Sequence, residues 1–159
     1  MPSLSLLLPT FLIVPLVVVA CGQLGLFSGH APSDLGVRNG MLKAPALGAT
    51  NVVSSYAARQ GGSATNQIEP LHFSGDGHAA FDKLTRIVGA MNGIAVIQTE
   101  PTYLYAQATT PILKFIDDVE FVLDAPAGVI QMRSASRLGK KDFGANRKRL
   151  EIIRLRFGS

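Results

Sequence analysis

The sequence predicts an α+β fold: an antiparallel sheet of about five strands with two helices on one face, in the order β-α-β-β-β-β-α. Three observations predict it. One segment repeats its apolar residues at helical spacing, four successive runs alternate like strands, and the chain ends in a second, basic helical segment.

A short extended piece around residues 67–73 comes first, followed by the turn-forming Ser74-Gly75-Asp76-Gly77. Phe81, Leu84, Ile87, Val88 and Met91 then recur at the period of a helix, with Asp82 and Arg86 four residues apart on the other side. Asp76 is placed to cap its start and Asn92-Gly93 to stop it. Strands are expected over residues 94–99, 103–109, 117–124 and 129–137, with Pro101-Thr102 turning the first pair.

The last two runs form a hairpin whose register can be argued. Val119, Phe121 and Leu123 alternate with Asp118, Glu120 and Asp124, while Ile130 and Met132 alternate with Gln131 and Arg133. Both apolar sets share a face only if opposed residue numbers sum to an odd value, and the loop Ala125-Pro126-Ala127-Gly128 makes that sum 253. Phe121 then opposes Met132 inside, and Glu120 opposes Arg133 on an outer face expected to meet solvent. The final helix is expected over about residues 143–157, opened by Asp142, with Phe143, Leu150, Ile153 and Phe157 as its stripe. Ile153, Leu155 and Phe157 also alternate as a strand would.

The N-terminal third reads differently. Residues 4–20 form a 17-residue apolar run, which spans roughly 25 Å as a helix, short of a bilayer core of about 30 Å. Its ending, Val18-Val19-Ala20-Cys21-Gly22, resembles a bacterial lipobox. That resemblance implies a signal peptide over 1–20 and acylation of Cys21 with palmitate-like chains. No Lys or Arg precedes the run, and Val18 stands where leucine is more typical. The alternative is a retained signal anchor with an incidental cysteine. Residues 21–50 are rich in Gly, hold Pro32 and Pro45, and lack a sustained period, so a flexible tether is expected before a single domain at 51–159. A chain beginning near Thr50 is accordingly expected to fold by itself.

Charge and cysteine count narrow the function classes. Cys21 is the only cysteine, which excludes an internal disulfide. The net charge of +4 divides into +7 from Arg133 onward and −3 before it. A basic end suits an anionic partner, or is only a solvated face. Within it Arg133, Ser134, Ser136, Arg137, Asp142, Asn146 and Arg147 form a candidate anion or ligand cluster, since arginine forks and hydroxyls near a helix start suit such a group. Strand alternation splits Ser134 and Ser136 from Arg133 and Arg137, so one compact site would need a bend. The competing reading is an internal network in which Asp142 caps the helix, Arg147 pairs with Glu151 and Asn146 bonds the preceding loop. Asp117, Asp118, Glu120 and Asp124 read more simply as exposed carboxylates facing arginines than as a cation site. His72 and His78 match no metal spacing, no phosphate or dinucleotide loop is visible, and neither cofactor nor metal is expected.

Residues 117–124 read Asp-Asp-Val-Glu-Phe-Val-Leu-Asp, and Gly-Val-Ile-Gln-Met-Arg-Ser-Ala-Ser-Arg-Leu-Gly and Asp-Phe-Gly-Ala-Asn-Arg-Lys-Arg-Leu-Glu follow. These strings closely resemble the bacterial and plastid family called domain of unknown function 1499. Asn51-Val52-Val53-Ser54-Ser55, Ile68-Glu69-Pro70-Leu71 and Tyr103-Leu104 fit its opening, although members often carry cysteine where this chain has Val52. The resemblance implies one fold unit and no settled activity. The functional expectation is therefore a lipid-anchored envelope module for a partner protein or anionic ligand such as an anionic lipid, on the outer membrane facing the periplasm in a Gram-negative host. An envelope hydrolase using the serine–arginine cluster is the alternative. Nucleic acid is not an expected partner, because export removes the protein from it.

Overall fold

The computed structural model describes residues 4–159. Helix α1 (Leu4–Gln23) leads, then strand β1 (Val52–Ser54), two short 3-10 turns, strand β2 (Leu71–His72) and helix α2 (Gly77–Gly89). Strands β3 (Ile94–Thr99), β4 (Tyr103–Thr109), β5 (Ile116–Asp124) and β6 (Val129–Ser136) follow, and helix α3 (Ala145–Gly158) closes the chain. The architecture is α+β. Its sheet has six strands in the antiparallel order β1-β6-β5-β4-β3, with β2 pairing beside β1 along β6. The sixth strand is β1, which is too short to show a period.

Helix α2 starts where expected, with the Asp76 carboxylate accepting from the His78 amide. Phe81, Leu84 and Val88 are buried against the sheet. The β5–β6 register is the expected one, with Phe121 opposite Met132 and Glu120 opposite Arg133. Strand β3 is a sheet edge, and a bulge between Val96 and Gln98 interrupts its pairing with β4.

The C-terminal segment is helical, and it starts two residues later than expected. Leu150, Ile153 and Phe157 are buried at helical spacing, whereas a strand would also have buried Leu155, which is 75% exposed. Gly144 takes the left-handed conformation just before the helix. That turn swings Phe143 out of the stripe, and Phe143 is 99% exposed. Its expected place in the core is thus corrected.

The inner face of the sheet packs on α2 and α3 through Val119, Phe121, Leu123, Ile130 and Met132. The outer face was expected to meet solvent and is covered instead. A second apolar cluster joins Leu42, Tyr56, Tyr103, Tyr105 and Val122, with Leu35 and Met41 packed against it. The covering chain, residues 31–43, belongs to the stretch expected to be a flexible tether. Leu42 is 1% exposed, and burying a side chain of that size is worth about 1.5–3 kcal/mol. Backbone groups complete the attachment. The Gly36 amide donates to Glu120, Tyr56 donates to the Gly40 carbonyl, and Gln60 donates to that of Leu42. Backbone docking of this kind leaves no periodic mark in a sequence.

Candidate functional site

The structure does not gather the seven candidate residues into one site: those on and just after β6 face opposite ways, while Asp142, Asn146 and Arg147 lie at the start of α3. Alternation along the strand dictates the split. Arg133 and Arg137 point to the outer face, under residues 31–43. There Arg133 Nη1 donates to Glu120 Oε2 at 2.8 Å, and Arg137 grips Asp118 through Nε and Nη2, at 2.7 Å at the closest. Tyr103 donates to the same Glu120 at 2.9 Å, and Tyr105 to Asp118 at 2.6 Å. Glu120 is fully buried and Asp118 nearly so. The expectation of exposed carboxylates is corrected, although the arginines do face them. Depth changes the chemistry: two buried cation–anion pairs must satisfy each other's hydrogen bonds or destabilise the fold. One atom of the row, Arg133 Nε, is buried without a partner.

The electrostatics follow from this geometry. Burial raises the Tyr103 pKa far above its ordinary value, and the Glu120 carboxylate beside it adds to the shift. Burial likewise raises Tyr105, reinforced by its hydrogen bond to Asp118. The hydrogen bonds to Asp118 raise Arg137 further still.

On the inner face, Ser134, Ser136 and Asn146 form a separate knot. Ser134 donates to Asn146 Oδ1 at 2.6 Å, and Asn146 Nδ2 donates to Ser136 Oγ and to the Asn51 carbonyl, both at 3.0 Å. Arg149 ties the knot to β5. It donates to Ser134 Oγ, to Asn146 Oδ1 and, at 2.6 Å, to Asp117 Oδ2. Asp142 accepts from the amides of Gly144 and Asn146, so it holds the first turn of α3 as expected, although from two residues before the N-cap position, which is Gly144. Arg147 lies apart. It donates to the carbonyls of Thr65 and Gln67, and the expected Arg147–Glu151 pair is replaced by Arg154 with Glu151.

Sequence reasoning missed Arg149, the residue that joins strand to helix. The signal was available: Asp117 is the one carboxylate of β5 with inward parity, and an inward carboxylate demands a cation from the packed helix. Of the nine basic side chains from Arg133 onward, three are therefore spent inside. Arg133, Arg137 and Arg149 are each paired with a carboxylate. What this arrangement does chemically is fasten β5, β6 and α3 together, with all its carboxylates and most of its donors paired within the chain.

Space for a ligand lies elsewhere. A groove of about 500 Å³ opens between residues 31–37 and the β3–β4 turn, lined by Leu35, Val37, Gln98, Glu100, Thr102 and Tyr103 among others. Among the described residues no group of three metal-ligating side chains is present, and no helix is long and apolar enough to cross a membrane. Cys21 is partly exposed near the end of α1. Directly after it, Gly22 is buried against the backbone of Leu113.

No curated protein and no solved structure matches the chain. A family model described as "Protein of unknown function (DUF1499)" matches residues 44–157, which takes in every strand, the 3-10 turns, α2, the serine–arginine–asparagine knot and nearly all of α3. The chain belongs to the DUF1499 family.

Proposed function

We propose that the chain is a membrane-anchored envelope module, acylated at Cys21 and located on the periplasmic side of the outer membrane in a Gram-negative host, that binds a partner. The anchor is supported by the apolar run and the lipobox-like Val18-Val19-Ala20-Cys21-Gly22. The observation that carries the binding role is how the charges are used. The arginines best suited to hold an anion or assist catalysis are locked on Glu120, Asp118 and Asp117, while an unfilled groove remains at Gln98, Glu100 and Thr102. The groove lining offers a carboxylate, an amide and apolar walls, with neither Lys nor Arg. That chemistry favours a polypeptide or a neutral polar molecule with donors to spare over an anion. The serine–arginine cluster gives the hydrolase alternative little support, because Ser134 is buried and its hydroxyl is held by Asn146 and Arg149.

Two measurements test the reading on the full chain. Labelling with a palmitate analogue should mark the wild type and not Cys21→Ser, which should accumulate as precursor. Equal labelling of both would remove the lipid anchor. Native mass spectrometry of the protein released from membranes should show a bound species that Glu100→Ala with Gln98→Ala loses. Retention of that species by the double variant would move the site out of the groove.

A further inference from the structure

We propose that the end of the domain built from residues 110–116 and 137–144 rests on the headgroup layer of an anionic bilayer, with Phe143 and Leu138 at the lipid interface. The proposal rests on the membrane anchoring argued above and adds the face that meets the membrane. Its starting point is the absence of slack between anchor and domain. A Cβ built on Gly22 would lie 2.7 Å from the Leu113 carbonyl oxygen, so the residue after Cys21 already touches the fold. Gln23 Nε2 donates to the Ile112 carbonyl at 2.7 Å. The ring of Phe27 stacks on Phe115 with centroids 5.4 Å apart, and Gly29 packs against Arg137 and Leu138. Whether the membrane holds α1 itself or acyl chains on Cys21, it must lie beside this end of the molecule.

The same end carries side chains that a bilayer would take. Phe143, Leu138 and Ile112 are exposed, and Lys140 and Lys141 stand exposed between the first two. A crevice of about 280 Å³ lined by Phe115, Ile116, Leu138, Lys141 and Phe143 shows that the two loops adjoin. Phe143 also has φ 51°, a left-handed backbone that is unfavourable for a bulky residue. The turn lets Asp142 accept from the first amides of α3, but the Phe143 ring itself stays exposed. An exposed aromatic ring beside two lysines joins an apolar insert to charge that an anionic surface attracts.

The chain contains no tryptophan, so Phe143→Trp adds a single fluorescent reporter. The full-length variant would be reconstituted in vesicles of phosphatidylethanolamine and phosphatidylglycerol carrying brominated acyl chains. Its emission should shift to the blue and be quenched. Leu155→Trp, near the far end of α3, sits about 15 Å along the helix from its first residue, Ala145, and should keep its water-exposed emission. Lys140→Glu with Lys141→Glu should lower the docking equilibrium constant, by about fivefold for each lysine lost from the surface. Quenching that is as strong in phosphatidylcholine alone, or equal for the two reporters, would overturn the proposal. A Phe143→Trp protein that floats with the vesicles while its indole stays unquenched would overturn this face and leave the anchor standing. A protein that fails to float would remove the anchor and this face together.

Discussion

Tyr103 and Tyr105 each place a phenol against a carboxylate that has no access to water, which makes their neutral form part of the fold. With Tyr56, also raised by burial, they are the only tyrosines in the chain. The linkage has a definite sign. A pKa raised in the folded state contributes stability that is complete below the unfolded value, near 10, and is lost as pH climbs above it. Phenolate absorbance should therefore stay flat through the pH where free tyrosine ionises, then rise in one step together with loss of circular dichroism. Phenolate appearing near its ordinary pH in a still-native protein would contradict the burial of these rings. Residue parity was legible in the sequence: Asp117 lies inward, Asp118 and Glu120 lie outward, and Glu120 meets Arg133. Depth was not legible. It depends on residues 31–43, whose attachment runs through backbone groups and through Leu35, Met41 and Leu42, which follow no period.

At the scale of elements, the β5–β6 hairpin carries the charge row and can be tested as a unit. Arg133→Met alone leaves the Glu120 carboxylate buried with only Tyr103 and the Gly36 amide as partners, and should destabilise by about 3–5 kcal/mol. Adding Glu120→Gln removes the stranded charge and should recover much of that loss. Urea midpoints of the two single variants and the double variant measure the coupling, which should far exceed the 0.2–1 kcal/mol typical of an exposed cross-strand pair. Additive effects would mean that the pair is solvated. Strands β3 and β4 and helix α2 were readable because each has a full period bounded by turn residues. Strand β1 was not, because three buried residues carry no alternation. The start of α3 was misplaced because Phe143 keeps the helical spacing in sequence while the left-handed Phe143-Gly144 turn takes it out of the helix in space.

Across the whole molecule, the family match begins at residue 44 while the apolar packing of the outer face reaches back to Leu35 and Leu42. A chain starting at Thr50 should therefore be less stable than one starting at His30, by about 2–5 kcal/mol, the scale set by deleting one buried leucine. Equal urea midpoints for the two chains would show that residues 31–43 only lie on the sheet without stabilising it. The pairing of β1 and β2 has a further consequence, for the order in which the chain can acquire structure. Both strands hydrogen-bond within the sheet to β6, so Val52 waits for Ala135 and Leu71 for Ile130. Such distant pairing raises contact order and slows folding. A ribosome delivers the N-terminal half first, and that half has no partner to pair with until the last hairpin has been made. Termination anywhere before Val129 therefore leaves both early strands without the strand that organises them.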